Sequence, residues 1–188
     1  MVRDLILKNR SYRRFHENEP VSEEVLRGLV DLARLSPSAG NRQPLKFALS
    51  WTPERNALIF PHLSWAGYLT DWLGPATGER PAAYIIILAD TKISAHVGSD
   101  QGIAAQSIML GAVEQGLGGC IIGAVEREAL QKKLGIPEHL KIQLVIALGR
   151  PKEKVVIEEA VEGEIKYWRD EQEVHHVPKR RLEELIIL

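Results

Sequence analysis

Two short apolar runs, Ala82–Ala89 and Lys141–Leu148, constrain the fold of this chain more than any other feature. Each is rich in β-branched residues and has the length of a buried strand. Between them, Gly102 to Gly116 has helical spacing and is apolar nearly all round, which predicts a long helix buried on most of its sides. A chain of 188 residues is long enough for one domain with a sizeable core and too short for two comfortable ones.

Shorter elements follow from the spacing of apolar residues and from helix start and stop signals. They are a helix at Val2–Asn9, a helix that starts after Ser22 and ends near Leu35, a strand at Lys46–Trp51 and a helix at Arg127–Leu134. The stretch from Thr52 to Arg80 is rich in Trp, Pro and Gly, and its clearest prediction is a short helix around Leu63–Leu73.

The composition changes at Lys152, where charged residues begin to dominate and apolar residues become sparse. Such a tail, residues 152–188, cannot form a core of its own. Its isolated aromatic residues favour an extended segment that lies along another surface over a disordered one. A partner subunit is a natural surface for it, and residues 1–188 are then one domain.

Charge and cysteine content exclude several classes of protein. The formal net charge is -1, so no overall field favours nucleic acid or an anionic membrane. One cysteine, Cys120, excludes an internal disulfide framework and fits a reducing cytoplasm. The first residues lack the apolar stretch of a signal peptide, and no apolar run approaches the length of a membrane span. These features predict a soluble cytoplasmic protein, in which Cys120 is a small buried hydrophobe rather than a nucleophile.

Two basic clusters are candidate phosphate ligands. Arg10 and Arg13 are three residues apart with Ser11 between them, so two guanidinium groups and a hydroxyl can share one face of a helical turn. The alternative is a solvated basic helix end that complements the helix dipole. Pro178-Lys179-Arg180-Arg181 is the second cluster, and by itself it equally fits a solvated charged tail.

The loop Ser36-Pro37-Ser38-Ala39-Gly40-Asn41-Arg42-Gln43-Pro44 is a candidate binding loop for a heteroaromatic ring. Two prolines and a glycine fix its backbone, while Ser38, Asn41 and Gln43 present polar side chains that suit alternating donors and acceptors on a ring edge. An ordinary polar surface loop is the alternative.

The glycine-rich stretch Gly116 to Gly123 is not a dinucleotide-binding fingerprint, since such a motif follows a strand and here it follows a long helix. Its glycines instead permit close approach of the backbone to a flat ring, with an amide hydrogen aimed at one ring atom. His175-His176 does not indicate a metal site, because adjacent side chains point apart and no acidic or cysteine partners have ligand spacing.

Taken together and in order, these segments resemble the nitroreductase family of flavoproteins. The resemblance rests on Arg10 to Phe15, Ser36 to Pro44, Asp100 to Gln106, Gly116 to Gly123 and Ala147 to Pro151, and it spans nearly the whole chain. It implies an α+β fold, with a central mixed, mostly antiparallel sheet packed between helices, an interlocking homodimer and an extended C-terminal tail. It also implies FMN bound at the interface between the subunits.

The resemblance implies a role for particular residues in holding FMN. Arg10, Ser11, Arg13, Lys179 and Arg181 would hold the phosphate and ribityl chain, and Gln43 would lie near the ring edge. The loop would reach the flavin held mainly by the other subunit, through Pro37, Ser38, Ala39 and Asn41. Ile122 and Gly123 would face the ring, with the Gly123 amide donating to the nitrogen that accepts hydride. Many family members have a glutamate at the position of Ile122, so any role of that side chain is absent here.

The implied activity is FMN-dependent transfer of hydride from NADH or NADPH to a small electron-poor acceptor, such as a nitroaromatic or a quinone, by a ping-pong mechanism. The flavin carries the chemistry, so no catalytic side chain is expected. The alternatives are a dedicated flavin enzyme (a dehalogenase, an enone reductase or a flavin-degrading enzyme), a flavin-binding sensor or storage protein without turnover, and a helix-rich interaction module without cofactor. Trp65, Tyr68 and Trp72 predict either a lid over the ring or ordinary core.

Overall fold

A four-stranded sheet lies at the centre of the computed structural model, which describes residues 1–187. Its strands are β1 (Leu45–Ser50), β2 (Ala83–Asp90), β3 (Gly118–Ile122) and β4 (Leu140–Gly149). They are ordered β1-β2-β4-β3, and each neighbouring pair is antiparallel. The eight residues of β2 are all buried, as the continuous apolar run predicts.

Within residues 1–187, five α-helices surround this sheet: α1 (Val2–Lys8), α2 (Glu23–Leu35), α3 (Pro53–Ile59), α4 (Asp100–Glu114) and α5 (Arg127–Lys133). Because side chains alternate along a strand, β2 contributes to two cores. Ile85 and Ile87 pack with α2 and α4, while Tyr84 and Ile86 pack with α3 and α5 on the other face. The predicted sheet between helices is therefore confirmed. None of the helices within residues 1–187 is long and apolar enough to cross a membrane, and the cytoplasmic location stays a prediction.

The boundaries of most predicted helices and strands are close to those observed. Ser22 caps α2 as expected, since its hydroxyl oxygen accepts a hydrogen bond of 3.2 Å from the amide of Val25. The periodic stripe of α2 is buried at Leu26, Leu29 and Ala33.

The predicted helix around Leu63–Leu73 is wrong. Leu63 forms an antiparallel bridge with Val125, and the Ser64 amide donates to the Ala124 carbonyl over 3.0 Å, so this segment pairs with the chain after β3 instead of coiling. The helix lies earlier, at α3, where Thr52 is the N-cap and Pro53 occupies the first turn.

Strand β3 was not predicted, because its glycines were interpreted as the signal that ends α4. The chain does turn at Gly116, which has a φ of 73°, but it then enters the sheet beside β4. Gly118 is required there by a close approach, since a Cβ atom would lie 2.5 Å from the Tyr12 ring. The segment after α1 thus lies directly on the edge strand.

The tail is more ordered than a single extended segment, and its packing on a partner subunit stays a prediction. It forms a second, small sheet from β5 (Val155–Glu159), β6 (Trp168–Arg169) and β7 (His175–Lys179), in the order β5-β7-β6. Strands β5 and β7 are parallel, and β6 is antiparallel to β7. This sheet is stabilised by contacts with its own chain: buried Glu153, just before β5, accepts hydrogen bonds from the amides of Arg13 and Arg14. A segment with few apolar residues can still be ordered when its buried polar groups are hydrogen-bonded in this way.

Candidate functional site

A cavity of about 370 Å³ lies between the end of α1, helix α4, strand β3 and tail strand β7. It brings together four of the residues predicted to bind phosphate, Arg10, Ser11, Arg13 and Lys179. Arg10 to Arg13 and Lys179 are more than 160 residues apart in sequence, so only the tertiary fold makes them neighbours. The cavity is the strongest candidate for a binding site.

The N-terminal side of the cavity is fixed by the edge strand. Ser11 forms a parallel bridge with Gly119, and the Tyr12 amide donates to the Gly119 carbonyl over 2.9 Å. Arg10 turns back, and its Nη2 donates to the Ile6 carbonyl over 2.7 Å. The Nε of Arg10 is buried and has no hydrogen-bond partner in residues 1–187. An unsatisfied buried donor is costly, so this atom marks a place that an acceptor would stabilise.

The tail side of the cavity is one face of β7. His175, Val177 and Lys179 all line it, as the two-residue period of a strand requires. His176 lies on the opposite face, where it stacks on Trp168 and contacts Glu158 and Asp170 at 3.0 and 3.2 Å. The two adjacent histidines therefore belong to different environments.

Arg13 is the most enclosed cation of the site, with 8% of its surface exposed. Its Nη1 donates to the Ser11 carbonyl over 3.2 Å and lies 3.2 Å from His175 Nε2. The guanidinium carbon is 4.8 Å from the centroid of the Tyr167 ring, a cation–π distance. Within residues 1–187, no carboxylate forms an ion pair with Arg13, and none lines the cavity. The cavity is thus strongly positive.

His175 is 1% exposed and sits between two arginines. Burial, followed by the charges of Arg13, Arg169 and His176, lowers the pKa of His175 from 6.5 to about 4. The imidazole is neutral at physiological pH. Of the two arginines beside His175, Arg169 has a carboxylate partner, because it donates to Glu153 over 2.9 Å on the side away from the imidazole.

The Ser36–Pro44 loop lies outside this cavity. Pro37, Ser38 and Gln43 line a separate hollow of about 200 Å³ with Asp100 at the start of α4. The buried Asp100 carboxylate accepts hydrogen bonds from the Ser38 hydroxyl at 2.6 Å and the Ala39 amide at 3.0 Å. The loop backbone is left-handed at Gly40, Asn41 and Gln43, with φ of 58°, 51° and 51°. Such conformations are rare for non-glycine residues and persist only where the surroundings fix them.

Ile122 and Gly123 line a third hollow of about 110 Å³, which shares Arg13 and Ile121 with the main cavity. The Ile122 side chain is only 4% exposed and packs in the α3–α5 core, whereas Ile121 is 39% exposed and lines both spaces. Along β3, the side chain available to a ligand is therefore that of Ile121.

Arg181 is not brought to the cavity. Its Nε donates to Glu159 over 2.7 Å, and both side chains are largely exposed. Of the late basic pair, Lys179 alone lines the cavity of this chain.

The residues present fit a phosphate-bearing group. Three cationic residues and Ser11 line the cavity, one of the cations (Arg10) has a buried Nε without a partner, and no carboxylate is among the described lining residues to compete for them. A phosphate dianion accepts several charge-assisted hydrogen bonds, which matches this donor set.

Comparison with known proteins agrees with this chemistry. The model of the nitroreductase family matches residues 6–66 and 71–150. The chain belongs to the nitroreductase family. The match includes the cavity's N-terminal side, the Ser36–Pro44 loop and strand β3, but not the tail sheet.

Individual members of the nitroreductase family are similar over most of their length. A protein of Archaeoglobus fulgidus, provisionally named NADH dehydrogenase/NAD(P)H nitroreductase, is 31% identical over 80% of this chain and 85% of its own. The iodotyrosine deiodinase of Thermotoga neapolitana is 24% identical over 80% and 89%. The crystal structure of a provisionally named nitroreductase from Exiguobacterium sibiricum, in complex with FMN, has a TM-score of 0.68 at 17% identity and covers 80% and 88%. This structural likeness shows the fold.

Several residues of the site were not predicted from the sequence. Ile121, Tyr167 and His175 line the main cavity, and Asp100 anchors the loop. A signal was present for two of them: His175 and Lys179 are four residues apart, which places them on one face of a strand, and Asp100 begins the apolar helix. Nothing local distinguishes Tyr167 from the other scattered aromatic residues of the tail.

Proposed function

We propose that this nitroreductase-family oxidoreductase binds FMN and passes hydride from NADH or NADPH to a small electron-poor acceptor by a ping-pong mechanism. In this proposal residues 1–188 act as one FMN-binding domain. The observation that carries the proposal is the cavity in which Arg10, Ser11 and Arg13 meet Lys179. The structural neighbour from Exiguobacterium sibiricum was solved in complex with FMN, and the chemistry of this donor set suits the phosphate of that cofactor.

Bound FMN would accept hydride from the reduced nicotinamide and return it to the acceptor. The chain's residues bind and orient. Arg10, Ser11, Arg13 and Lys179 would hold the phosphate end, and the exposed Ile121 offers an apolar surface beside it. The Gly123 amide would donate to the ring nitrogen. Cationic and amide groups also stabilise negative charge on the ring, which makes a dedicated acid or base unnecessary.

The second half of the site is proposed to come from a partner subunit. Gln43 would lie at the ring edge, while Pro37, Ser38, Ala39 and Asn41 would contact the flavin held mainly by the other protomer. Helices α1 and α4 pack together and leave apolar side chains exposed, including Ile6, Leu7 and Ile103. A homodimer through this face would cover them and carry the loop to the partner's cavity. Arg181 would reach its phosphate role only with a rearrangement of its pair with Glu159.

Binding of FMN to single-site variants tests the cavity assignment. We expect Arg10→Gln to weaken FMN affinity by about ten-fold or more, as measured by quenching of flavin fluorescence, because a charge-assisted contact is lost. Arg27→Gln is the matched control: Arg27 pairs with Glu23 on the exposed face of α2 and does not line the cavity. Equal affinities in the two variants would contradict the assignment.

The ping-pong mechanism is tested by initial rates at varied donor and acceptor concentrations. Parallel lines in the double-reciprocal plot are expected, because donor and acceptor would use one place over the ring in turn. Intersecting lines would show that both bind together and would contradict a shared site.

A second candidate is a dedicated flavin enzyme, and the similarity to an iodotyrosine deiodinase favours it. A panel of nitroaromatics, quinones, enones and halogenated phenols separates the two. Comparable rates across nitroaromatics and quinones support the general reductase, whereas a sharp preference for the halogenated phenol would support the dehalogenase.

A further inference from the structure

We propose that His175 is a positioning residue whose neutral imidazole holds the Arg13 guanidinium toward the FMN phosphate without neutralising it. The inference rests on the proposed function, since it assigns a role within the FMN site. It concerns a residue of the tail sheet, which lies outside the part of the chain that matches the family.

The contact between Arg13 and His175 determines the tautomer of the imidazole. Arg13 Nη1 lies 3.2 Å from His175 Nε2, and a guanidinium can only donate. For this contact to be a hydrogen bond, Nε2 must be an unprotonated acceptor, so the proton of the neutral ring is on Nδ1. Nδ1 is buried and has no hydrogen-bond partner within residues 1–187, so the Arg13 contact is the one that assigns the tautomer. A doubly protonated ring would place two donors and two positive charges against each other in a buried site.

The remaining contacts of Arg13 show why a neutral acceptor matters. Its side chain contacts the Ser11 carbonyl, the Tyr167 ring and His175, all of them uncharged. Glu153 is nearby, but it accepts from the Arg13 backbone amide and from the Arg169 guanidinium, not from the Arg13 side chain. Within residues 1–187 no carboxylate forms an ion pair with the Arg13 guanidinium, and the groups named above that contact it are uncharged, which leaves its charge available to an anion.

His175 is also placed to couple the tail to the cavity. It is on the face of β7 that carries Lys179, so one strand supplies both a cation and the group that orients another cation. The His175 ring lies 5.2 Å from the Tyr167 ring, which itself lies against Arg13. Displacement of β7 would remove Lys179 and release Arg13 together.

Three substitutions at His175 separate positioning from packing. His175→Gln keeps a neutral acceptor, and we expect FMN affinity within about three-fold of wild type. His175→Leu keeps an apolar body without the acceptor and should weaken FMN about ten-fold. His175→Glu supplies a stronger acceptor that cancels the Arg13 charge, so FMN affinity should also fall about ten-fold. The ranking of glutamate below glutamine indicates positioning where urea unfolding shows equal stability of the two variants, because a purely structural effect would lower that stability.

His176→Leu is the matched control, because it is the same substitution one residue along β7 on the face away from the cavity. Its FMN affinity should stay within about two-fold of wild type. In an Arg13→Gln background, His175→Leu should have no further effect on affinity, since the group it positions is gone.

A readout without flavin completes the test. Nitrogen NMR of the histidine-labelled protein should show His175 protonated at Nδ1 and not at Nε2 near neutral pH. A proton on Nε2 would overturn the inference, as would equal FMN affinity of wild type and His175→Leu, or a His175→Glu affinity equal to that of His175→Gln. Failure of wild-type protein to bind FMN would instead overturn the proposed function, and this inference with it.

Discussion

At the scale of single residues, the site depends on charges that the fold leaves uncancelled. Arg13 is nearly buried and has no carboxylate partner among the described residues, while Arg14, next in sequence, is fully paired. Arg14 donates to both oxygens of Glu79 at 2.6 and 2.9 Å. Adjacent arginines on an extended segment point apart, so one serves the cavity and the other holds the tail and the Glu79 region together.

The buried His175 predicts a pH dependence of stability. The folded pKa of His175, about 4, lies below the unfolded value of 6.5 because the ring is buried beside Arg13 and Arg169. Tyr167 packs against the ring, and Glu153 lies on the far side of Arg169. The unfolded chain therefore binds a proton first as pH falls, and stability is lost between pH 6.5 and about 4. Between about pH 7 and about pH 5, urea unfolding should show a loss about 1–2 kcal/mol larger in wild type than in His175→Gln. Equal losses would contradict a neutral buried His175.

Glu79 should contribute to stability through its two cations. The Arg14 hydrogen bonds and the Lys152 ammonium at 2.9 Å lower the pKa of Glu79 from 4.5 to about 2. This depressed pKa gives a contribution that is present above pH 4.5 and lost as pH falls toward about 2. Glu79→Gln should lower the free energy of unfolding by about 1–3 kcal/mol at neutral pH. Glu23→Gln, in the exposed pair with Arg27, should cost at most about 0.5 kcal/mol. Similar costs for the two would contradict the argument.

At the scale of elements, the junction between the Ser36–Pro44 loop and α4 shapes the second half of the site. Asp100 holds Ser38 and Ala39, and the Gln43 amide donates to the Ser38 hydroxyl oxygen over 3.0 Å. Asp100→Ala removes the acceptor and should lower the free energy of unfolding by about 1–3 kcal/mol. Faster hydrogen exchange of the Ala39 and Gln43 amides is expected in the variant. Unchanged exchange would show that other contacts fix the loop.

The elements that could be predicted from sequence are those with local signals. Examples are the apolar run Ala82–Ala89, the Ser22 cap of α2 and the end of α5 just before Gly135. In each case residues that are close in sequence determine the structure. Strand β3 and the tail sheet have no such local signal, because each depends on contacts with residues far away in sequence. The Tyr12 ring leaves room only for a glycine at Gly118, and Glu153 accepts a hydrogen bond from the Arg13 amide. The phosphate cluster was predictable as a set of residues. Its geometry, including His175 and the diversion of Arg181 to Glu159, was not.

At the scale of the whole molecule, the exposed apolar face of α1 and α4 predicts assembly. Ile103 of α4 and Leu58 of α3 are each 37% exposed but lie on opposite sides of the sheet. Ile103→Glu should convert a homodimer to monomers in sedimentation velocity and weaken FMN binding, whereas Leu58→Glu should do neither. A monomeric wild type, or a dimer that survives Ile103→Glu, would contradict the proposed interface.

We propose that this member of the nitroreductase family carries FMN that a reduced nicotinamide can reduce. The direct measurement is the visible spectrum of the purified protein, reconstituted with FMN where needed, before and after anaerobic addition of NADH or NADPH. We expect a flavin spectrum that bleaches on addition and returns when a quinone is added. Bound flavin that stays oxidised would contradict nicotinamide-linked turnover and favour a flavin-binding protein without it. A protein that binds no FMN after reconstitution would contradict the account at its base.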